Sequence, residues 1–130
     1  EIIKIFIFSL PLIFGIANIM LANNICDIED DLANNRFTLP IYLSRAKSLS
    51  LFKYLYYLSY FSILIAVIFE ILPLISLFSL LSILKVQQNI NRFEKDQSKK
   101  ETFILSVNNF VIINYSTALT LLIAVVFKII

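Results

Sequence analysis

Residues 5–22 read IFIFSLPLIFGIANIMLA, a run without one charged side chain. A helix needs about 20 predominantly apolar residues to cross a bilayer. In lipid, every backbone polar group must also be satisfied within its own segment. The run therefore predicts a membrane-crossing α-helix. Pro11 and Gly15 lie inside it, where a lipid-spanning helix tolerates them better than a soluble one does.

Three further apolar segments follow, at about 51–71, 72–90 and 103–130. The second opens with Tyr54, Tyr56, Tyr57 and Tyr60, a cluster suited to the interfacial aromatic belt. The third breaks from the second at Pro73. Its apolar part is short for a bilayer, so tilt or extension through Gln87–Ile90 is expected. Composition agrees with a membrane protein: 59% of residues are hydrophobic and 15% charged, against about 25% charged in ordinary globular domains. One glycine and three prolines cannot turn a sandwich or barrel of many short strands. The expected fold is all-α: a single membrane domain over 1–130, a multi-spanning bundle of about four helices within a larger bundle.

The same inventory closes several functional classes. There is no histidine, which removes imidazole metal sites, histidine bases and Ser-His-Asp triads. The single cysteine, Cys26, excludes an internal disulfide. No basic face with interleaved aromatics marks a nucleic-acid partner. The sequence starts at Glu1 with no basic, cleavable leader, so an earlier part of a longer protein is expected.

Charge sets an orientation. Arg36, Arg45, Lys47 and Lys53 fall in or beside the polar stretch at about 23–50. Arg92, Lys95, Lys99 and Lys100 fall at about 91–102, with Lys85 just before it. The opposite side keeps Lys4, Lys128 and Glu70. Short basic loops stay cytoplasmic, so both stretches are expected inside and both chain ends outside.

The chemistry-bearing stretch is Asn23-Asn24-Ile25-Cys26-Asp27-Ile28-Glu29-Asp30-Asp31. If the helix continues, Asn23, Asp27 and Asp31 fall at i, i+4 and i+8 on one face, with Asp30 beside them and Glu29 pointing elsewhere. Like charges so spaced destabilise a helix by about 0.2–0.5 kcal/mol per pair. Carboxylates in the last turns oppose the dipole at roughly 0.3–1 kcal/mol each. A bound cation reverses that sign. Oxygen ligands suit Mg²⁺, which takes one or two carboxylates and completes its shell with water and phosphates. The competing reading is a solvated acidic helix end beside a basic loop. A calcium EF-hand is excluded, because residues 23–34 lack its central glycine and terminal glutamate.

The pattern Asn23-Asn24-x-x-Asp27-x-x-x-Asp31, continuing through Asn35-Arg36-Phe37-Thr38-Leu39-Pro40, resembles the second aspartate-rich motif of the UbiA superfamily of intramembrane prenyltransferases. The paired asparagines and the Thr-Leu step most resemble the 1,4-dihydroxy-2-naphthoate polyprenyltransferases of menaquinone synthesis. The resemblance implies nine spanning helices, of which this chain would be the last four, with a first acidic motif in the missing N-terminal half. It implies Mg²⁺ on Asp27 and Asp31, with Asp30 as a further ligand. Asn23, Asn24 and Arg36 would bind substrate. The partners implied are an isoprenyl diphosphate, an aromatic acceptor and the lipid bilayer, in a bacterial plasma membrane. Cys26 stands where the naphthoate enzymes usually carry arginine, and Asn35 where they usually have glycine. Acceptors such as 4-hydroxybenzoate or haem, and a non-catalytic membrane subunit, are the alternatives.

Other polar residues fit packing. Ser76, Ser79 and Ser82 recur every three residues; Ser106, Asn109, Ser116 and Thr120 form a similar stripe. Small polar stripes in membrane helices usually face neighbouring helices. Arg45 is a weaker diphosphate candidate than Arg36.

Overall fold

The computed structural model describes residues 1–127. The elements are α1 (Ile2–Cys26), α2 (Ile28–Ala33), α3 (Leu39–Leu43), α4 (Arg45–Ile68), a 3₁₀ run (Leu74–Ser82), α5 (Ile83–Lys95) and α6 (Ile104–Val126). There is no strand among the described residues. Helices α1, α4 and α6 are long and apolar enough to cross a membrane. The protein is an all-α membrane bundle, the class its apolar runs predict. Of the expected segment 103–130, residues 128–130 lie outside the described residues, as does Lys128.

Helix α1 packs along α4, and α6 closes against both α1 and the 3₁₀ run. The buried core joins Ile25, Phe52, Tyr56, Ile63, Val86, Ile90, Phe93 and Ile113. Phe52 meets Tyr56 edge-on with centroids 5.0 Å apart, and its other neighbour, Phe93, lies at 4.7 Å. Gly15 permits the approach of α1 to α6, because a Cβ there would stand 2.5 Å from Phe110 Cδ2. Membrane helices gain little from burying apolar surface against one another. Close packing and interhelical hydrogen bonds must hold them instead. Such bonds cross the core. Asn18 Nδ2 donates to the Phe52 carbonyl at 3.0 Å, Tyr56 Oη to the Ser106 carbonyl at 3.3 Å, and Asn89 Nδ2 to Asn109 Oδ1 at 2.7 Å. The outer faces carry exposed Ile, Leu and Phe side chains such as Phe6, Phe61, Phe78 and Leu122, which suits lipid.

The segment expected at 72–90 divides between the 3₁₀ run and α5. The serine period explains the division. A 3₁₀ helix has three residues per turn, so positions three apart eclipse. Ser79 Oγ donates back to the Ser76 carbonyl and Ser82 Oγ to the Ser79 carbonyl, each at 2.7 Å. Ser76 and Ser79 are buried, and Thr120 Oγ1 on α6 reaches Ser76 Oγ at 3.4 Å. The 3₁₀ rise of about 2.0 Å per residue also lengthens the element. The apolar part, Leu74–Val86, extends about 24 Å in place of the roughly 20 Å of an α-helix.

The α4 tyrosines do not form one belt. At 100° per residue Tyr56, Tyr57 and Tyr60 share a face about 100° wide that turns into the bundle, and Tyr54 lies outside it. Tyr54 is exposed; Tyr56 and Tyr60, one turn apart, are buried. Tyr57 Oη donates to Gln87 Oε1 at 2.7 Å, and Tyr60 Oη pairs with Ser82 Oγ at 2.8 Å.

Candidate active site at the acidic turn

The acidic stretch lies where α1 passes into α2. Regular helix is interrupted only at Asp27, whose φ of −100° and ψ of 9° keep the chain near helical. The backbone ladder continues through the break. Asp27 N–H donates to the Asn23 carbonyl at 3.2 Å, and Asp31 N–H to the Asp27 carbonyl at 2.8 Å. Asn23, Asp27 and Asp31 thus keep the spacing that stacks side chains on one face.

What stops α2 is a left-handed cap. Asn35 has φ 54°. Arg36 N–H donates to the Asp31 carbonyl at 2.8 Å, and Asn35 N–H to the Leu32 carbonyl at 3.2 Å. These are the paired bonds of a Schellman motif, usually built on glycine. Asparagine tolerates that backbone better than other side-chain-bearing residues. The motif turns the chain so that Thr38 comes back against the acids. Thr38 is the N-cap residue of α3, but its hydroxyl makes no capping bond; it donates to Asp31 Oδ2 at 3.1 Å.

Each carboxylate has its own surroundings. Asp27 Oδ2 accepts from Lys99 Nζ at 2.5 Å and from Asn23 Nδ2 at 3.2 Å. Lys99 Nζ also donates to Asn23 Oδ1. Asp31 is buried, and Arg36 Nη1 approaches its Oδ1 only to 3.9 Å. The Arg36 side chain stays 75% exposed, so it is loosely held. Asp30 is exposed and accepts only through its backbone carbonyl, from Asn34 Nδ2 at 2.8 Å. Asn24 makes no side-chain hydrogen bond among the described residues. Glu29 points away and pairs with Arg45, which also donates through Nη1 to Gln97 Oε1 at 3.2 Å.

Lys99 escapes a reading of the acidic stretch alone, being 72 residues from Asp27. The loop before α6 positions it. Thr102 Oγ1 accepts from Ser98 N–H at 2.8 Å and donates to the Asp96 carbonyl at 2.7 Å, closing a compact turn around Lys99. Lys99 Nζ lies 5.4 Å from the centre of the Phe103 ring, within cation–π range. The sequence signal was only its membership of the second basic stretch.

The chemistry open to this arrangement is cation binding by oxygen. Asn23 Oδ1 and Asp27 Oδ2 converge on one cation, the Lys99 ammonium. That donor set fits a divalent ion needing one or two protein ligands. Among the described residues, no group of three or more Cys, Asp or Glu could hold a metal alone. Water and phosphate oxygens would have to complete the shell.

The sequence pattern of the UbiA prenyltransferase family matches residues 2–114. The chain belongs to the UbiA prenyltransferase family. Neither the curated proteins nor the solved structures yield a match. As a UbiA chain it is an integral membrane protein of the prenyl-transfer class, whose substrates are isoprenyl diphosphates and aromatic acceptors.

Proposed function

We propose that the acidic turn is the diphosphate-holding side of a Mg²⁺-dependent prenyl transfer, with 1,4-dihydroxy-2-naphthoate of menaquinone synthesis as the acceptor. The observation that carries this reading is the convergence of Asn23 Oδ1 and Asp27 Oδ2 on a single cation. Asn23 and Asp27 would hold Mg²⁺ directly, with Asp31, on the face they share, and Asp30, at its edge, reaching it through water or diphosphate oxygens. Mg²⁺ held there would supply positive charge to offset that developing on the departing diphosphate. Thr38 fixes the Asp31 carboxylate from the far side. Arg36, loosely paired and exposed, is free to turn onto the diphosphate, and Asn24 would offer a further polar contact to the substrate. Lys99 exchanges its carboxylate for a diphosphate oxygen and supplies a hydrogen bond as negative charge grows.

The paired asparagines and the Arg36-Phe37-Thr38-Leu39 step favour the naphthoate acceptor; Cys26 favours testing 4-hydroxybenzoate and haem alongside it. We further place both basic stretches on the cytoplasmic side of a bacterial plasma membrane. The family's first acidic motif would come from helices outside residues 1–130, so these residues purified alone should form no product. The deciding assay supplies Mg²⁺, isoprenyl diphosphate and each acceptor in turn to membranes holding the assembled protein. Prenylated naphthoate is the expected product. Absence of metal-dependent diphosphate binding would assign the chain to a non-catalytic subunit.

A further inference from the structure

A second polar feature lies between α5 and α6 and shares no residue with the acidic turn. Lys85, Asn89 and Arg92 fall at i, i+4 and i+7 on α5 and therefore line one face. They face Leu105, Asn108 and Ile112 of α6 across a cavity of about 260 Å³. Among the described residues, no carboxylate lines it. Nor does any acidic group among them lie within 4.0 Å of Lys85 or Arg92, although Lys4, Arg36, Arg45, Lys53 and Lys99 all have acidic partners. At the cavity wall Asn89 is 2% exposed and spends its amide N–H on Asn109. Packing has fixed that wall, while both cations remain exposed.

The site also has a defined depth. Leu105 and Asn108 stand in the first turns of α6, a helix long enough to span a bilayer. Arg92 lies seven residues from Lys85, about 10 Å along the α5 axis. The cavity thus reaches from the polar end of a span toward its apolar part, and Lys85 is its deep cation. An unpaired ionisable group at such depth needs a partner. Basic pockets between membrane helices bind anionic headgroups. The volume falls below the roughly 300–1,000 Å³ of pockets for drug-sized ligands, which suits a compact head outside a chain that stays in lipid.

We infer that the α5–α6 cavity binds the phosphodiester headgroup of an anionic membrane lipid. Lys85 and Arg92 hold the phosphate, and the Asn108 amide meets the ester or headgroup oxygens. The test is motional restriction of spin-labelled lipid around the full chain in mixed bilayers, comparing phosphatidylglycerol with phosphatidylcholine. The Lys85→Gln/Arg92→Gln variant should lose phosphatidylglycerol preference by roughly tenfold or more, since two charge-assisted hydrogen bonds to the phosphate are lost. Lys47→Gln/Lys100→Gln removes equal charge from residues without acidic partners and should keep the preference. Both altered pairs are exposed, and helicity by circular dichroism verifies that each variant is folded. Equal loss in the two pairs overturns the site in favour of bulk charge. Inorganic phosphate at millimolar concentration is the second probe. If it shields Lys85 from amine modification as well as phosphatidylglycerol vesicles do, the site takes free phosphate and the lipid assignment fails.

Discussion

Lys99 Nζ lies 2.5 Å from Asp27 Oδ2, joining the loop before α6 to the junction of α1 and α2. The lysine side chain is 44% exposed and the aspartate 27%, so solvent screens the pair. Its consequence for stability is small. Its consequence for cation binding is larger, because the ammonium occupies the oxygens a metal would take. Lys99→Gln should therefore tighten Mn²⁺ binding in the absence of diphosphate, read by electron paramagnetic resonance, while lowering turnover roughly tenfold or more through loss of a charged hydrogen bond. Unchanged metal affinity would remove Lys99 from the site.

Asp27→Asn and Asp31→Asn should each abolish turnover at saturating Mg²⁺, whereas Glu29→Gln should retain it. Glu29 lies on another face and makes an exposed pair with Arg45, worth at most about 1 kcal/mol. Asp30→Asn should lose activity in part. The measurement is product formation by equal amounts of each variant. Matching activity in Asp27→Asn and Glu29→Gln would return the cluster to a solvated face.

Thr38 provides a finer test. Its hydroxyl holds Asp31 Oδ2 at 3.1 Å and caps nothing. Thr38→Val should slow turnover several-fold with the melting temperature nearly unchanged, and Thr38→Ser should restore it. Equal loss of stability and activity would make Thr38 a packing residue only.

The left-handed cap at Asn35 predicts opposite effects of two substitutions. Asn35→Gly should be neutral or stabilising, and Asn35→Val should destabilise by about 1–2 kcal/mol through its β-branched side chain at positive φ. Thermal unfolding in detergent measures both.

Orientation is testable by labelling. Ser48, a natural choice within the basic stretch, is fully buried and unsuitable. Lys47 and Lys100 are exposed. With Cys26 replaced, cysteine at either position should resist an impermeant reagent applied to sealed cells. Labelling from outside would invert the topology.

How much was legible follows from range. The α1 run and the Asn23–Asp27–Asp31 spacing rest on contacts within two helical turns, and sequence carries those directly. Lys99, Thr38 on Asp31 and the Glu29–Arg45 pair depend on where loops return, which no local periodicity encodes. The serine triplet is intermediate. Its period of three was visible and pointed to packing, yet three also matches the 3₁₀ turn. The division of 72–90 into two helical types follows from that second meaning.

The 3₁₀ run gives the bundle an uneven apolar height. Helix α1 covers about 37 Å with its 25 residues, whereas Leu74–Val86 covers only about 24 Å against a hydrocarbon core of about 30 Å. Such hydrophobic mismatch is relieved by local thinning of the bilayer. Thinning of that kind would make the leaflet surface dip beside α5. Lys85 stands at the end of the shortened stretch, so such a dip would bring lipid phosphates down to it.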